Sequence, residues 1–166
     1  MATRKLTYVA SSALTIPLAS LATSSTLVAG EESDAIDNTT NVYLDYLLSG
    51  KITTGTTPTV DTAIEVWVIA KSDDTNWPDV FDGTNSAETV TSRAQLQQYG
   101  RMAWVGIVTA TSNVAYEFTN VSVAALFGGK CPAQFVVFAV HNTGVNLNAT
   151  SGNHRITVKP VYETIA

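Results

Sequence analysis

The sequence predicts an all-β domain, namely a jelly-roll-like antiparallel β-sandwich with one short helix and an extended N-terminal segment. Three observations predict it. Runs rich in Val, Ile, Thr, Tyr, Phe and Trp recur between clusters of Gly, Asn, Asp and Pro, and helical periodicity is nearly absent. The runs also follow one another closely, as the strands of two stacked sheets do. A chain of 166 residues is the size of one domain with one core.

The N-terminal residues differ in composition from the rest of the chain. Residues 1–24 are rich in Thr, Ser and Ala with spaced apolar residues, and we assign residues 25–166 to the sandwich domain. Two interpretations of residues 1–24 remain open. They are either the first strands of the domain or an extended arm that pairs, through main-chain hydrogen bonds, with a neighbouring subunit or with another protein of the same assembly. Their candidate interface residues are Leu6, Tyr8, Leu14 and Ile16.

Two segments with alternating apolar residues predict the next strands, over residues 42–49 and 64–70. In the first strand, every second side chain is expected to lie on the same face, and these are Val42, Leu44, Tyr46 and Leu48. Gly50 either closes this strand or forms a bulge, because glycine inside a strand weakens it.

Residues 71–92 form a long polar excursion that contains Trp77 and Phe81. Loops of this length usually have a function. Trp77 either stacks on a sugar or partner surface or folds down over one end of the sandwich, and we take both aromatic residues as candidate interface residues.

One short helix is predicted after the excursion. Ser92 and Gln95 have the spacing of a capping box, and Gly100 is placed to end the helix about two turns later.

Four more strands are predicted over residues 102–111, 114–123, 134–140 and 154–164, with a tight turn at Ser112 and Asn113 between the first two. With one or two extended segments before residue 22, the total is about eight strands, the number of a jelly roll. Pro160 lacks a backbone N–H, so it predicts an edge position or a bulge in the last strand.

Charge and apolar run length argue against two kinds of partner, a nucleic acid and a membrane. The net charge of -5 and the nine scattered Lys and Arg residues disfavour nucleic acid, which requires clustered basic residues. No apolar run reaches the roughly 18 residues of a membrane span. The N-terminal stretch resembles a secretory leader, but Pro17 interrupts it and bulky Leu27 precedes the possible cleavage site, so we expect synthesis in a cytoplasm.

No pattern in the sequence predicts a catalytic, cofactor or metal site, and we expect no enzyme activity. His141 and His154 stand at strand ends without the spacing of further metal ligands, and no serine lies in a nucleophile motif. The carboxylates collect in two segments predicted to be solvated loops. The first segment contains Glu31, Glu32, Asp34 and Asp37, and the second contains Asp73, Asp74, Asp79 and Asp82.

Four stretches of the chain resemble a group of small virion proteins of tailed bacteriophages. They are "LASLATSSTLVAGEESDAIDNTTNVYLDYLLSGKITTG", "TAIEVWVIAKSDD", "VSVAALFGGKCPAQFVVFAVHNTG" and "SGNHRITVKPVYETIA", and with their spacing they cover most of the chain from about residue 14. The resemblance implies a jelly-roll-like sandwich assembled in several copies on the virion. It implies no catalytic residues.

These observations lead to two expectations about function. The first is a virion structural protein, a capsid decoration or cement protein on the phage head. It would be made in the host cytoplasm, and its partners would be the major capsid protein and its own copies. Its charge content of 14%, against the usual value of about 25%, suits such contacts because little charge has to be desolvated. The alternative is a tail or adhesion module that binds host glycans through Trp77 and the surrounding loop.

Overall fold

The computed structural model describes residues 3–165, so residues 1, 2 and 166 of the predicted arm and sandwich lie outside the described part. Two antiparallel sheets dominate it, and the predicted all-β sandwich is confirmed. The elements in chain order are β1 (Arg4–Tyr8), β2 (Ser12–Ala13), β3 (Ala29–Glu32), β4 (Ile36–Asp37), β5 (Asp45–Thr53), β6 (Ala63–Ala70), β7 (Ser86–Thr89), α1 (Arg93–Tyr99), β8 (Gly100–Ile107), β9 (Ala115–Ser122), α2 (Val123–Leu126), β10 (Gln134–His141), a 3-10 turn (Ser151–Asn153) and β11 (Arg155–Ile165).

The strand order is that of a jelly roll. The first sheet runs β1-β11-β5-β9, with β2 also on β11, and the second runs β7-β3-β10-β6-β8, with β4 also on β10. Without the short strands β2, β4 and β7, eight strands remain, which we number 1 to 8 in chain order for this comparison. In these numbers the first sheet has the order 1-8-3-6 and the second sheet has the order 2-7-4-5. This double Greek-key arrangement brings the first and last strands of the chain side by side.

The main core fills the space between the sheets. Its buried residues include Leu48 and Ile52 from β5, Val66 from β6 and Val137 from β10. Tyr46 and Leu48 share a face, as predicted, and it is the inner one. Val42 and Leu44 do not join them and are exposed, because they precede β5. Gly50 marks a register shift between β5 and β9, so the bulge forms and the strand continues to Thr53.

A second apolar cluster covers the outer face of the second sheet. Trp67, Ile69 and Phe138 on the sheet pack there with Leu96 from α1 and Val90 from the end of the excursion. Strands β6 and β10 are therefore buried on both faces, which explains why both are nearly continuous apolar runs.

The predicted helix is confirmed as α1. The Ser92 side chain accepts a hydrogen bond from the Gln95 backbone N–H, and Gly100 forms the C-terminal cap. Gly100 stays in extended backbone, because it is already the first residue of β8. The second helix, α2, is a single turn that the sequence did not predict, since its residues end a β-like run.

Of the two alternatives predicted for Pro160, an edge position and a bulge, the edge position is wrong and the bulge is present. β11 has β1 and β2 on one side and β5 on the other. The irregularity lies opposite the proline, because Tyr8 pairs with Val161 and Ser12 pairs with Val158. Three residues of the N-terminal segment, 9–11, therefore face two residues of β11, 159 and 160. This bulge removes the need for the N–H that Pro160 lacks.

Candidate interaction surface

The N-terminal candidates fall into an exposed pair and a packed pair. Leu6 and Tyr8 lie on β1 and are 55% and 56% exposed. Leu14 and Ile16 instead pack, half-buried, against the main core. β1 and β2 both pair with β11 of the same chain.

A buried histidine ties the N-terminal segment to the core. His141 at the end of β10 is fully buried, and its Nε2 lies 3.0 Å from the Leu21 carbonyl oxygen. Its Nδ1 lies 3.0 Å from the Thr143 hydroxyl. Burial lowers the pKa of His141 to about 4, so the ring is neutral at pH 7. The expected polar strand-end histidine is thus an internal hydrogen-bonding group.

The two aromatic candidates of the excursion are held by the sandwich. Phe81 is only 4% exposed and lies 5.3 Å from Phe138, ring centroid to centroid, so its side chain packs inside this chain and not at its surface. Trp77 is half-buried against the same cluster, beside Gly83 and with the Lys71 ammonium 5.8 Å from its ring centroid. The excursion therefore serves to cover the second sheet.

An exposed apolar surface lies on β8, which the sequence did not single out. We call Met102, Val105 and Ile107 the β8 patch. Their partners on β6 are Trp67, Glu65 and Ala63, so all three side chains share the outer face of the second sheet. Ile107 is 59% exposed. Apolar residues occupy both odd and even positions of this strand, so the alternation pattern could not show which face is left uncovered.

The exposed part of β1 and the β8 patch lie on opposite sides of the sandwich. β1 and β9 are the two edges of the first sheet. β8 is beside β9, because Trp104 of β8 stacks on Phe118 of β9 with ring centroids 5.0 Å apart. One side thus presents Leu6 and Tyr8, and the other presents the β8 patch.

The two acidic segments meet in space. The carboxylates of the second segment, Asp73, Asp74, Asp79 and Asp82, are exposed as predicted, but Glu32 of the first segment is not. Glu32 lies in β3, is fully buried and accepts a hydrogen bond of 2.8 Å from the Gly83 backbone N–H. Asp34 accepts one of 2.8 Å from the Asn85 side chain. These bonds join the first segment to the second, so the carboxylates fasten the excursion to the sheet.

Burial raises the pKa of Glu32 to about 7, assisted by the nearby carboxylates of Asp82 and Glu88 and opposed by the hydrogen bonds from the Gly83 and Asp82 N–H groups. The folded state therefore holds its proton more tightly than the unfolded chain, whose carboxyl titrates near 4.5. As pH rises from 4.5 to about 7, this group should lower the free energy of unfolding by up to about 3 kcal/mol.

Urea unfolding of Glu32→Gln at several pH values tests this prediction. The difference in stability between wild type and variant should change between pH 4.5 and about 7 and level off above it. The lowered pKa of His141 acts in the opposite direction, with stability lost as pH falls from 6.5 towards 4, and it cancels in this difference. Glu117→Gln, at an exposed position on β9, is the control. A pH-independent difference would contradict the prediction.

Within residues 3–165, no group of three or more His, Cys, Asp or Glu side chains is placed to hold a metal ion. Nor does any helix in that range have the length and apolarity needed to cross a membrane.

No protein-family model matches the chain, and no curated protein does.

Proposed function

We propose that the chain is a virion structural protein, a capsid decoration or cement protein that binds the major capsid protein and its own copies on the phage head. The observation that carries the proposal is the pair of exposed apolar surfaces on opposite edges of one sandwich. Neighbouring exposed apolar side chains on a folded domain are typical of contact sites. A rigid domain with two such sites can bridge two neighbours, which is what a cement protein does.

The mechanism would be burial repeated by symmetry. A specific interface buries about 1,000 Å² or more, and each symmetry-related copy adds the same contact. The shell then resists rupture because many interfaces must open together. This role needs no catalytic residue, cofactor or metal, and it accords with synthesis in the host cytoplasm followed by assembly on the head surface.

We assign the capsid contact to the β8 patch and the contact between copies to β1. The β8 patch is a row of three apolar side chains on the edge strand of a sheet that is otherwise covered on this face. Its neighbour on β6, Glu65, is buried in an ion pair with Arg93. Little charge would therefore be desolvated when a partner covers the patch.

Substituting lysine into the β8 patch tests the proposed function. Val105→Lys with Ile107→Lys should lower binding of labelled protein to emptied capsid shells of the encoding phage at least about 100-fold, because two ammonium groups would be buried without partners. The matched control is Ala115→Lys with Thr119→Lys, which adds the same charge at exposed positions of the edge strand β9. Thermal unfolding of each variant verifies folding.

Equal binding by both double variants, or no binding by wild type, would contradict the proposal. So would virions that withstand heat and low salt equally well with and without the protein.

The alternative is a tail or adhesion module that binds host glycans. An open cleft of about 390 Å³ favours it, with polar lining from Thr39, Lys71, Asp73 and Gln134. Against it, Lys71 covers the Trp77 ring that would stack on a sugar. Binding of the labelled protein to host envelope glycans, without binding to shells, would favour this alternative.

A further inference from the structure

The outer edge of β1 presents main-chain hydrogen-bonding groups that the sheet does not use. Val9 donates its N–H to the Pro160 carbonyl oxygen at 3.0 Å, which sets the alternation of the β1–β11 ladder. The hydrogen-bonded pairs are therefore Thr7 with Tyr162 and Lys5 with Thr164. The alternate residues of β1, namely Arg4, Leu6 and Tyr8, direct their N–H and C=O groups away from β11.

The side chains of the same three residues lie on the outer face of the sheet. Their partners on β11 are Ile165, Glu163 and Val161. Arg4 forms an exposed ion pair of 3.3 Å with Glu163, and the Lys159 ammonium lies 5.7 Å from the Tyr8 ring centroid. The edge is thus an extended strand, and the side chains of Arg4, Leu6 and Tyr8 lie beside its open main-chain groups.

The ribbon formed by Arg4–Leu6 and Glu163–Ile165 also extends beyond β5. The pairing of β5 with β11 ends at Asp45 and Val161, so this ribbon has two strands only. Two-stranded ribbons are marginal in water, and a further strand stabilises them. An unpaired edge of this kind is a template for pairing with another chain.

We propose that β1 pairs with β1 of a second copy, antiparallel and centred on Leu6. In this register Arg4, Leu6 and Tyr8 face Tyr8, Leu6 and Arg4 of the second copy, and all the outward groups pair. Arg4 then faces an aromatic ring, which attracts a cation. The two first sheets join into one continuous sheet across a twofold axis.

Neighbouring registers are less favourable. Centring on Lys5 places the two Lys5 ammonium groups directly opposite each other, and like charges across strands are destabilising. Centring on Thr7 leaves Arg4 without a strand partner, because the bulge after Tyr8 interrupts the edge. Both registers also use fewer of the outward groups. The outer edge of β1 is therefore complementary to the same edge of a second copy, and the register centred on Leu6 is the most favourable one.

A disulfide cross-link tests this register. The background is Cys131→Ser, which removes the chain's single cysteine. Leu6→Cys would place two cysteines in a hydrogen-bonded pair with Cα atoms about 5.5 Å apart, within disulfide range. Tyr8→Cys is the matched control, since Tyr8 is equally exposed but its equivalent in the second copy would lie roughly 14 Å away.

Under mild oxidation, the Leu6→Cys variant should form cross-linked dimer at least about tenfold faster than the Tyr8→Cys variant, as expected when geometry raises the effective concentration. Equal rates, or no dimer from either variant, would overturn the inference.

Leu6→Pro provides an independent measurement. It removes an N–H that the β1–β11 ladder does not use, so the monomer should keep its far-ultraviolet circular dichroism. Sedimentation velocity should show dimer for wild type and monomer for the variant. A monomeric wild type, or a dimeric variant, would overturn the inference.

This inference rests on the proposed function, because it names the contact between copies in the assembly, but the two fail separately. Shell binding without a position-6 cross-link would overturn the β1 pairing alone. Cross-linked dimers that do not bind shells would support the pairing and contradict the cement role.

Discussion

Replacing Arg93 by alanine is expected to lower the free energy of unfolding by about 3 kcal/mol, because it leaves the Glu65 carboxylate buried without its counter-charge. Glu65 is 4% exposed and forms a bidentate ion pair with the Arg93 guanidinium, in which Nη2 lies 2.7 Å from Oε1. Trp67 Nε1 donates a further hydrogen bond of 2.9 Å to Glu65. Urea unfolding followed by tryptophan fluorescence measures the loss.

The consequence extends to function, since Glu65 stands beside the β8 patch. The Arg93 guanidinium also lies 4.9 Å from the Trp67 ring centroid, so it holds α1 against β6. Val105 is the cross-strand neighbour of Glu65 on the same face. Loosening α1 is therefore expected to weaken shell binding as well.

Two variants separate the charge effect from other losses. Adding Glu65→Gln to Arg93→Ala should recover about 1–2 kcal/mol, because the neutral amide still accepts from Trp67 and no buried charge remains. Arg101→Ala is the control, since Arg101 is exposed and its guanidinium bonds to backbone carbonyls of Gln98 and Gly100. Equal stability of Arg93→Ala and Arg101→Ala would show that the buried ion pair is unimportant.

Gly30→Ala is expected to cost about 3 kcal/mol, the upper end for overpacking. Gly30 is buried in β3, where a Cβ atom would overlap the Ala139 carbonyl oxygen and lie 2.8 Å from Cζ of Phe138. Ala139 belongs to the central strand β10, whose backbone is held by β3 on one side and β6 on the other. The backbone therefore cannot retreat without breaking ladder hydrogen bonds. Differential scanning calorimetry should show a midpoint lowered by roughly 10 °C.

Gly152→Ala is the matched control. It is the same substitution in the exposed 3-10 turn, where a Cβ atom would meet nothing within 4 Å. Its stability should change by less than about 0.5 kcal/mol. A Gly30→Ala protein as stable as the Gly152→Ala protein would mean that β3 does not approach β10 as closely as described.

Local patterns were enough for α1 and for most strands. They did not identify β3, β4 and β7, which lie in segments predicted to be loops, or α2, which follows a predicted strand. Ser92 and Gln95 identify α1 because a cap depends on residues three apart. Gly50 marks the bulge, and the apolar runs mark β6 and β10, because strand propensity and glycine weakness are properties of short segments. The resemblance and the count of about eight strands then favoured the jelly roll, whose order the two sheets have.

The class of fold and the positions of most strands and of α1 can be predicted from the sequence, since they follow from patterns within a few residues. Which polar and aromatic groups are covered depends on packing between distant segments and is seen only in the structure. Phe81, Glu32 and His141 look like loop or strand-end residues in sequence, yet all three are buried. Their burial comes from layers that are distant in the chain: the excursion folded over the second sheet, and the N-terminal segment bonded to β10. The same long-range packing left β8 and the edge of β1 open, and alternation within one strand carries no information about what another segment will cover.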